Sequence, residues 1–246
     1  MRIALFADVH ANLQALDACL AHARGQHATR FVFLGDLVGY GADAQAVVAA
    51  VKGEVAQGAI AVKGNHDEAI DRSRFYFNET ALAAIDWARK TLAPESARFL
   101  AALPLIVRED ARCFVHASAA YPERWDYVDG TGAAARCIEA AAVPHTFCGH
   151  VHDQMLYFGT RRGRSSAFVP TPGIAVPIRS HRRWLAVVGS VGQPRDRNPA
   201  AAYALFDGER EEITFFRVPY DAKTAAARIR ECGLPESLAY RVETGI

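Results

Sequence analysis

The chain has 246 residues, enough for one large α/β domain with a generous core and short for two. Hydrophobic residues make up 51% and charged residues 22%, a soluble globular balance that excludes disordered and fibrous classes. With 28 basic and 27 acidic side chains the net charge is +1, so no global field attracts nucleic acid or anionic lipid.

Arg2 to Ala7 is a continuous apolar run, as expected of a strand covered on both faces. The opening MRIALFADVH is too short and too polar for a signal peptide. A helix is predicted from Asn12 to about Ala23, with Leu13, Leu16 and Leu20 at helical spacing and Asn12 as N-cap. Phe31 to Leu34 is the second strand. A helix from about Ala44 to Lys52 follows, capped by Asp43 and ended by Gly53, and Ala59 to Val62 is the third strand. This opening is a βαβαβ unit with parallel strands and right-handed crossovers. A helix is predicted over Asn78 to Leu92, with Leu82, Ile85 and Leu92 on one face and a stop at Pro94. A short one follows over Glu95 to Ala102. The second half carries strand patterns at Leu105–Val107, Arg112–Val115, His145–Cys148, Trp184–Val188, Ala202–Phe206 and Glu212–Val218, with helices at Thr131–Ala142 and Asp221–Glu231. No repeat or linker divides the chain, and no apolar run approaches the ~20 residues of a membrane span. The expected architecture is a single domain over 1–246 with two sheet layers flanked by helices. The five scattered cysteines, without a CxxC pair, suit reduced thiols in a cytoplasmic protein.

Ligands of open α/β sheets collect at the carboxyl ends of strands, where loops converge. Strand one ends in Asp8-Val9-His10, strand two in Gly35-Asp36 and strand three in Gly64-Asn65-His66-Asp67. Later strands end in His116 and in Gly149-His150-Val151-His152. Residues two apart on extended chain point the same way, so Asp8 with His10, and His150 with His152, can share a metal. Carboxylate, imidazole and amide donors without thiolate suit Mn, Fe, Zn or Co. Gly35, Gly64 and Gly149 are expected to let the backbone turn tightly and approach a phosphate. His22, His27, His145 and His181 read as surface or cap residues.

The ordered set D-x-H, G-D, G-N-H-D, H and G-H-x-H resembles the calcineurin-like metallophosphoesterase superfamily, over roughly Met1 to Phe158. The chain looks closest to the bacterial branch grouped with diadenosine tetraphosphatases and small phosphodiesterases, and Gly189 to Asp196 is similar to a loop of that branch. The resemblance implies a two-sheet α/β/β/α sandwich. It implies one metal held by Asp8, His10, Asp36 and His152, and a second held by Asp36, Asn65, His116 and His150. Two such metals would clamp a phosphate and activate a water for in-line attack. The resemblance also makes His66 the group that stabilises the transition state or protonates the leaving oxygen, with Asp67 orienting it. The second motif departs from the protein-phosphatase form G-D-x-V-D-R-G: this chain reads Gly35-Asp36-Leu37-Val38-Gly39-Tyr40-Gly41, without the acidic residue or the arginine. That favours a small phosphodiester or nucleoside polyphosphate over a phosphoprotein. A protein phosphatase and a non-enzymatic scaffold are the alternatives.

Tyr40, Trp125 and Tyr127 are candidates to stack on a nucleobase, and Arg195 to reach the phosphate. The basic clusters Arg161-Arg162-Arg164 and Arg179-His181-Arg182-Arg183 could attract a polyphosphate or be solvated hairpin tips. The expected partner is a small phosphorylated molecule, a nucleotide among the options, with no membrane and no stable nucleic-acid partner.

Overall fold

A computed structural model describes residues 1–72, 77–159 and 164–246. Arg161 and Arg162 lie outside the described residues. The first half contains β1 (Arg2–Phe6), α1 (Leu13–Gly25), β2 (Arg30–Phe33), α2 (Ala44–Ala56), β3 (Ile60–Ala61), α3 (Asn65–Asp71), α4 (Glu79–Thr91) and α5 (Pro94–Ala102). Then follow β4 (Ile106–Glu109), β5 (Arg112–Val115), α6 (Thr131–Ala141), β6 (His145–Cys148), β7 (Gln154–Gly159) and β8 (Ser165–Phe168). The chain continues with β9 (Ala175–Pro177), β10 (Trp184–Val188), β11 (Ala201–Asp207), β12 (Glu212–Val218), α7 (Ala222–Glu231) and α8 (Glu236–Thr244).

The strands form two mixed sheets of six, in the orders β3-β2-β1-β11-β12-β9 and β4-β5-β6-β10-β7-β8. Alternation along each strand assigns its two faces. In β1, Ile3 and Leu5 point between the sheets with Val32, Phe114, Phe147 and Phe206, while Ala4 and Phe6 pack outward with α1 and α2. Cys113, Val115, Cys148 and Leu185 on the outer face of the second sheet meet Ala134, Cys137 and Ile138 of α6. The inner apolar layer is the clamp between the sheets, and the helices cover both outer faces.

Parallel pairing decides where the loops converge. β1, β2 and β3 run parallel in one sheet, and β5, β6 and β10 run parallel in the other. Their carboxyl ends open on one rim, and the loop after β10 seals it by donating Val191 N to Ala7 O and Gly192 N to Asp8 O, both at 2.9 Å.

Local expectations hold unevenly. Asn12 and Asn78 cap α1 and α4 by accepting from Ala15 N and Ala81 N. Asp43 precedes α2 but makes no side-chain cap; its carboxylate takes Arg228 of α7 at 2.8 Å instead. The same helix runs through Gly53 to Ala56, since one glycine costs a helix only about 1 kcal/mol. Leu82 is 38% exposed, and the buried face of α4 is Ala81, Ala84, Ile85 and Ala88. His145 is buried at the rim of the inner layer, with Nε2 2.6 Å from Ile178 O, rather than at the surface. The strands β7, β8 and β9 and the helices α3 and α8 have no counterpart among the predicted elements; β8, β9 and α3 are too short for periodicity to register.

Phe6 sits fully buried among Phe31, Phe33 and Tyr203, with ring centroids 5.3–5.7 Å away. Phe6→Ala should cost about 3–5 kcal/mol of unfolding free energy. Leu82→Ala should cost less than about 0.5 kcal/mol. Urea titrations giving equal losses would contradict this placement of the core.

Candidate metal centre

The two aspartates that end β1 and β2 each divide their oxygens between two tasks. Asp8 Oδ2 accepts from His150 N at 2.8 Å, and Asp36 Oδ1 accepts from His66 N at 2.8 Å. These contacts from other loops aim the remaining oxygens inward. Asp8 Oδ1 is buried and has no hydrogen-bond partner at all. Asp36 Oδ2 lies 3.8 Å from His10 Nε2 on one side and 3.4 Å from His116 Nε2 on the other.

The histidines are aimed in the same way. The Nδ1 atoms of His10, His116 and His152 donate to the backbone oxygens of Val38, Leu34 and Gln193, at 3.2, 2.7 and 2.6 Å. A carbonyl only accepts, so each Nδ1 carries a proton and each Nε2 faces the centre. Burial pushes the His10 and His152 imidazoliums well below their ordinary range, leaving both rings neutral. Their two Nε2 lone pairs then confront each other at 3.2 Å, with Asp8 Oδ1 3.8 and 3.5 Å away. Lone pairs packed this closely around an orphaned carboxylate oxygen repel unless a cation sits among them.

A second group is built around His116. Its Nε2 lies 3.1 Å from Asn65 Oδ1 and 3.0 Å from His150 Nδ1. Burial opposes charge on His116, but the Asp36 carboxylate, through its charge and hydrogen bond, lifts it to about 9. The Asp8 carboxyl is raised to about 7, chiefly by burial and secondarily by the charge of Asp36. Asp36 itself is held well below the usual range because His116 and His66 outweigh the effect of its burial. Metal–ligand bonds of about 2.1 Å set neighbouring donors about 3.0–3.4 Å apart. Both groups have donor spacings within a few tenths of an ångström of those around a transition-metal cation, and Asp36 Oδ2, grouped with His116 and His150, also faces His10 of the other.

The pairing of residues two apart holds for Asp8 with His10 and fails for His150 with His152, which face different groups. The backbone is not extended there. Asp8, His10, Asp36, His150 and His152 all have positive φ, between 48° and 73°. Left-handed backbone at non-glycine residues stores strain, so the rim is held in place by the sheets beneath it.

Two glycines serve a different purpose from the one expected. A Cβ on Gly64 would lie 2.1 Å from Asp36 Oδ1, and one on Gly149 would lie 2.5 Å from Asp8 Oδ2. They make room for the metal-facing carboxylates, not for a phosphate. Asp67 also departs from expectation. Its oxygens accept from Leu37 N, Val38 N and Gly64 N, tying the second and third loops together, and it does not reach His66. His66 Nδ1 is buried without a partner, and a Cβ on Gly39 would lie 2.3 Å from it. Burial, aided by the charges of His116 and Arg195, pushes the His66 imidazolium down to about 4 against the pull of Asp36.

A cavity of about 380 Å³ opens above the centre, with Asp36, Asn65 and His66 on its floor and Tyr40, Tyr127 and Arg195 at its walls. Tyr40 packs against His10 and His66 at 4.6 and 4.5 Å, with the Arg195 guanidinium 5.6 Å over its ring. Trp125 is 5% exposed and its indole N–H is spent on Glu68, so it is wall rather than platform. Tyr127 lies flat on His150 at 4.1 Å and is 54% exposed. Gln193, which holds His152, lies in the loop Gly189 to Asp196 that the resemblance marked, but its contact with the centre had no counterpart in the sequence reading.

Residues 1–211 match the family described as the calcineurin-like phosphoesterase superfamily domain. A metallophosphoesterase from Sphaerobacter thermophilus is 35% identical, superposes with a TM-score of 0.89 and shares 100% of this chain and 99% of its own. An uncharacterised protein of Methanocaldococcus jannaschii is 33% identical over 99% of this chain and 98% of its own. The structure of a hypothetical protein from Pyrococcus horikoshii OT3 shares the fold, with 20% identity, a TM-score of 0.81 and coverage of 100% and 98%. Among the described residues no helix is long and apolar enough to cross a membrane.

The shared oxygen of Asp36 makes a specific forecast. Asp36→Asn keeps the shape and removes the charge, and should leave at most one weakly held ion per chain. His152→Ala and His116→Ala should each retain about one, from opposite groups. Gly64→Ala should empty the centre too, because its Cβ would displace Asp36. Elemental analysis of purified variants reads all four, and two tightly held ions in Asp36→Asn would refute the sharing.

Proposed function

This chain belongs to the calcineurin-like phosphoesterase superfamily, and on that premise we propose that it uses a pair of transition-metal ions to hydrolyse a phosphodiester or a nucleoside polyphosphate. The observation that carries the reading is the placement of Asp36 Oδ2 between His10 Nε2 and His116 Nε2 at the floor of an open cavity. Asp8, His10, Asp36 and His152 would hold one ion, and Asp36, Asn65, His116 and His150 the other. When bound, such ions supply Lewis-acid activation of water and of the phosphoryl group.

The chain's own groups complete the reaction. Hydrolysis breaks one P–O bond, forms another from water and leaves a proton on the departing oxygen. His66 lines the cavity, with a ring nitrogen within 4.8 Å of donor atoms of His10 and Asp36. It is placed to hydrogen-bond the phosphoryl or leaving oxygen. Asp67 supports it indirectly by fixing the backbone of both loops that frame it. Arg195 offers positive charge at the wall, and Tyr40 acts on substrate chiefly by seating that guanidinium. Tyr127, with its outer face exposed, is the better platform for a base.

The protein-phosphatase alternative is disfavoured by Gly39, whose place against His66 leaves no room for an acidic side chain. A scaffold would not need the complete, mutually aimed donor set found here.

Two measurements test the proposal. His66→Ala should retain its metals and lose about 10²–10⁴-fold in turnover. The loss should shrink for p-nitrophenyl esters, whose leaving group needs little protonation; equal losses on good and poor leaving groups would assign His66 to phosphoryl stabilisation instead. Tyr127→Ala should weaken nucleotide substrates relative to bis-p-nitrophenyl phosphate by about 1–3 kcal/mol. An Mn-loaded enzyme that prefers phosphoserine peptides to both would overturn the substrate class.

A further inference from the structure

Gln193 stands in the loop after β10, and its residue is 1% exposed. Its side-chain oxygen accepts from two guanidinium groups, Arg195 Nη2 at 3.1 Å and Arg241 Nη1 at 3.4 Å. Its backbone oxygen accepts from His152 Nδ1 at 2.6 Å, so the same residue anchors the centre and gathers the two arginines. Arg241 comes from α8, beyond the residues that match the family description. Its Nε donates to Ile246 O at 3.0 Å, which fixes the direction of the fork.

Two like charges drawn to one neutral oxygen repel each other, and the amide compensates neither. The effect of this crowding falls on Arg241. Partial burial and the charge of Arg195 depress the Arg241 guanidinium, and both arginines act on the Tyr40 hydroxyl against the effect of its burial. Among the described residues neither arginine is paired with an aspartate or glutamate, whereas Arg217, Arg228 and Arg230 nearby all are. Planar forks held in this way match the oxygens of a phosphate. Of the two, Arg195 lines the metal cavity and Arg241, from α8, shares its amide acceptor, so an anion that engages both forks borders the reacting phosphate.

We propose that Arg195 and Arg241, gathered by Gln193, form a second phosphate site that receives the phosphate adjoining the scissile one. The assignment rests on the phosphoesterase reading above and narrows it: the substrate class is a phosphoanhydride chain, as in a nucleoside polyphosphate, rather than a simple diester. The C-terminal helices thereby supply specificity to a centre built by the two sheets.

Calorimetry with inorganic tripolyphosphate on the metal-free protein tests the pair without any turnover. Arg241→Gln and Arg195→Gln should each weaken binding about tenfold or more, and Arg241→Lys should recover part of it by keeping charge without the fork. With the Mn-loaded enzyme, kcat/KM for ATP relative to bis-p-nitrophenyl phosphate should fall by a similar factor in Arg241→Gln. Wild-type affinity for tripolyphosphate in both glutamine variants would overturn the proposal. So would equal losses on ATP and the diester, which would mean that Arg241 acts only through Gln193 on His152. Absence of any phosphoester turnover in the wild type would instead overturn the phosphoesterase reading, and the binding measurement would still decide the arginine pair.

Discussion

The rim of this protein is organised around one carboxylate. Asp36 gives one oxygen to the backbone N–H of His66 and leaves the other between His10 and His116. A carboxylate fixed at only one oxygen could rotate, but Gly64 packs against Oδ1 so closely that no side chain fits there. The consequence is a buried oxygen that faces His116 at 3.4 Å and His10 at 3.8 Å, one histidine of each donor group. Asp8 repeats the device with His150 N and Gly149. Burying such oxygens is costly in a low-dielectric interior unless positive charge arrives, and that cost is what makes the centre selective for cations.

The strain this imposes is absorbed by the sandwich. Five metal-facing residues occupy left-handed backbone, each worth on the order of 1 kcal/mol or more. They persist because the loops that carry them leave packed strands and hydrogen-bond to one another. Asp8 N to Gly35 O, His10 N to Asp36 O and Gly149 N to His116 O extend the sheet ladders past the strands themselves. Asp67 closes the arrangement between the second and third loops. Preorganisation of this kind spares the centre any reorganisation when charge develops.

Around that centre the chemistry of selection comes from elsewhere in the chain. The cavity walls are aromatic residues seated on metal-facing histidines, and the cations come from the loop after β10 and from α8. Tyr40 illustrates the division: its ring is enclosed by His10, His66 and Arg195 and so positions a charge rather than a base. Tyr127, stacked on His150 and half open, keeps a face for substrate.

By itself the sequence determined the alternation of apolar strands and amphipathic helices and the two-layer class, and it picked out the candidate donors, because they cluster just past apolar runs. Those signals are local, carried by period and adjacency. What only the tertiary structure decided is how the donors divide. Spacing put His150 beside His152, yet the fold sets them in different groups, His152 with Asp8 and His10 and His150 with Asp36 and His116. Adjacency put Asp67 beside His66, yet its oxygens are taken by three backbone N–H groups from other loops. Gln193 lay in a loop the resemblance marked, but its tie to Arg241 gave no signal, since an amide in a loop and an arginine on a C-terminal helix look unrelated until the fold brings them together across 48 residues. Side-chain direction at a strand end depends on left-handed turns and long-range backbone contacts, and neither has a period that a linear pattern can carry.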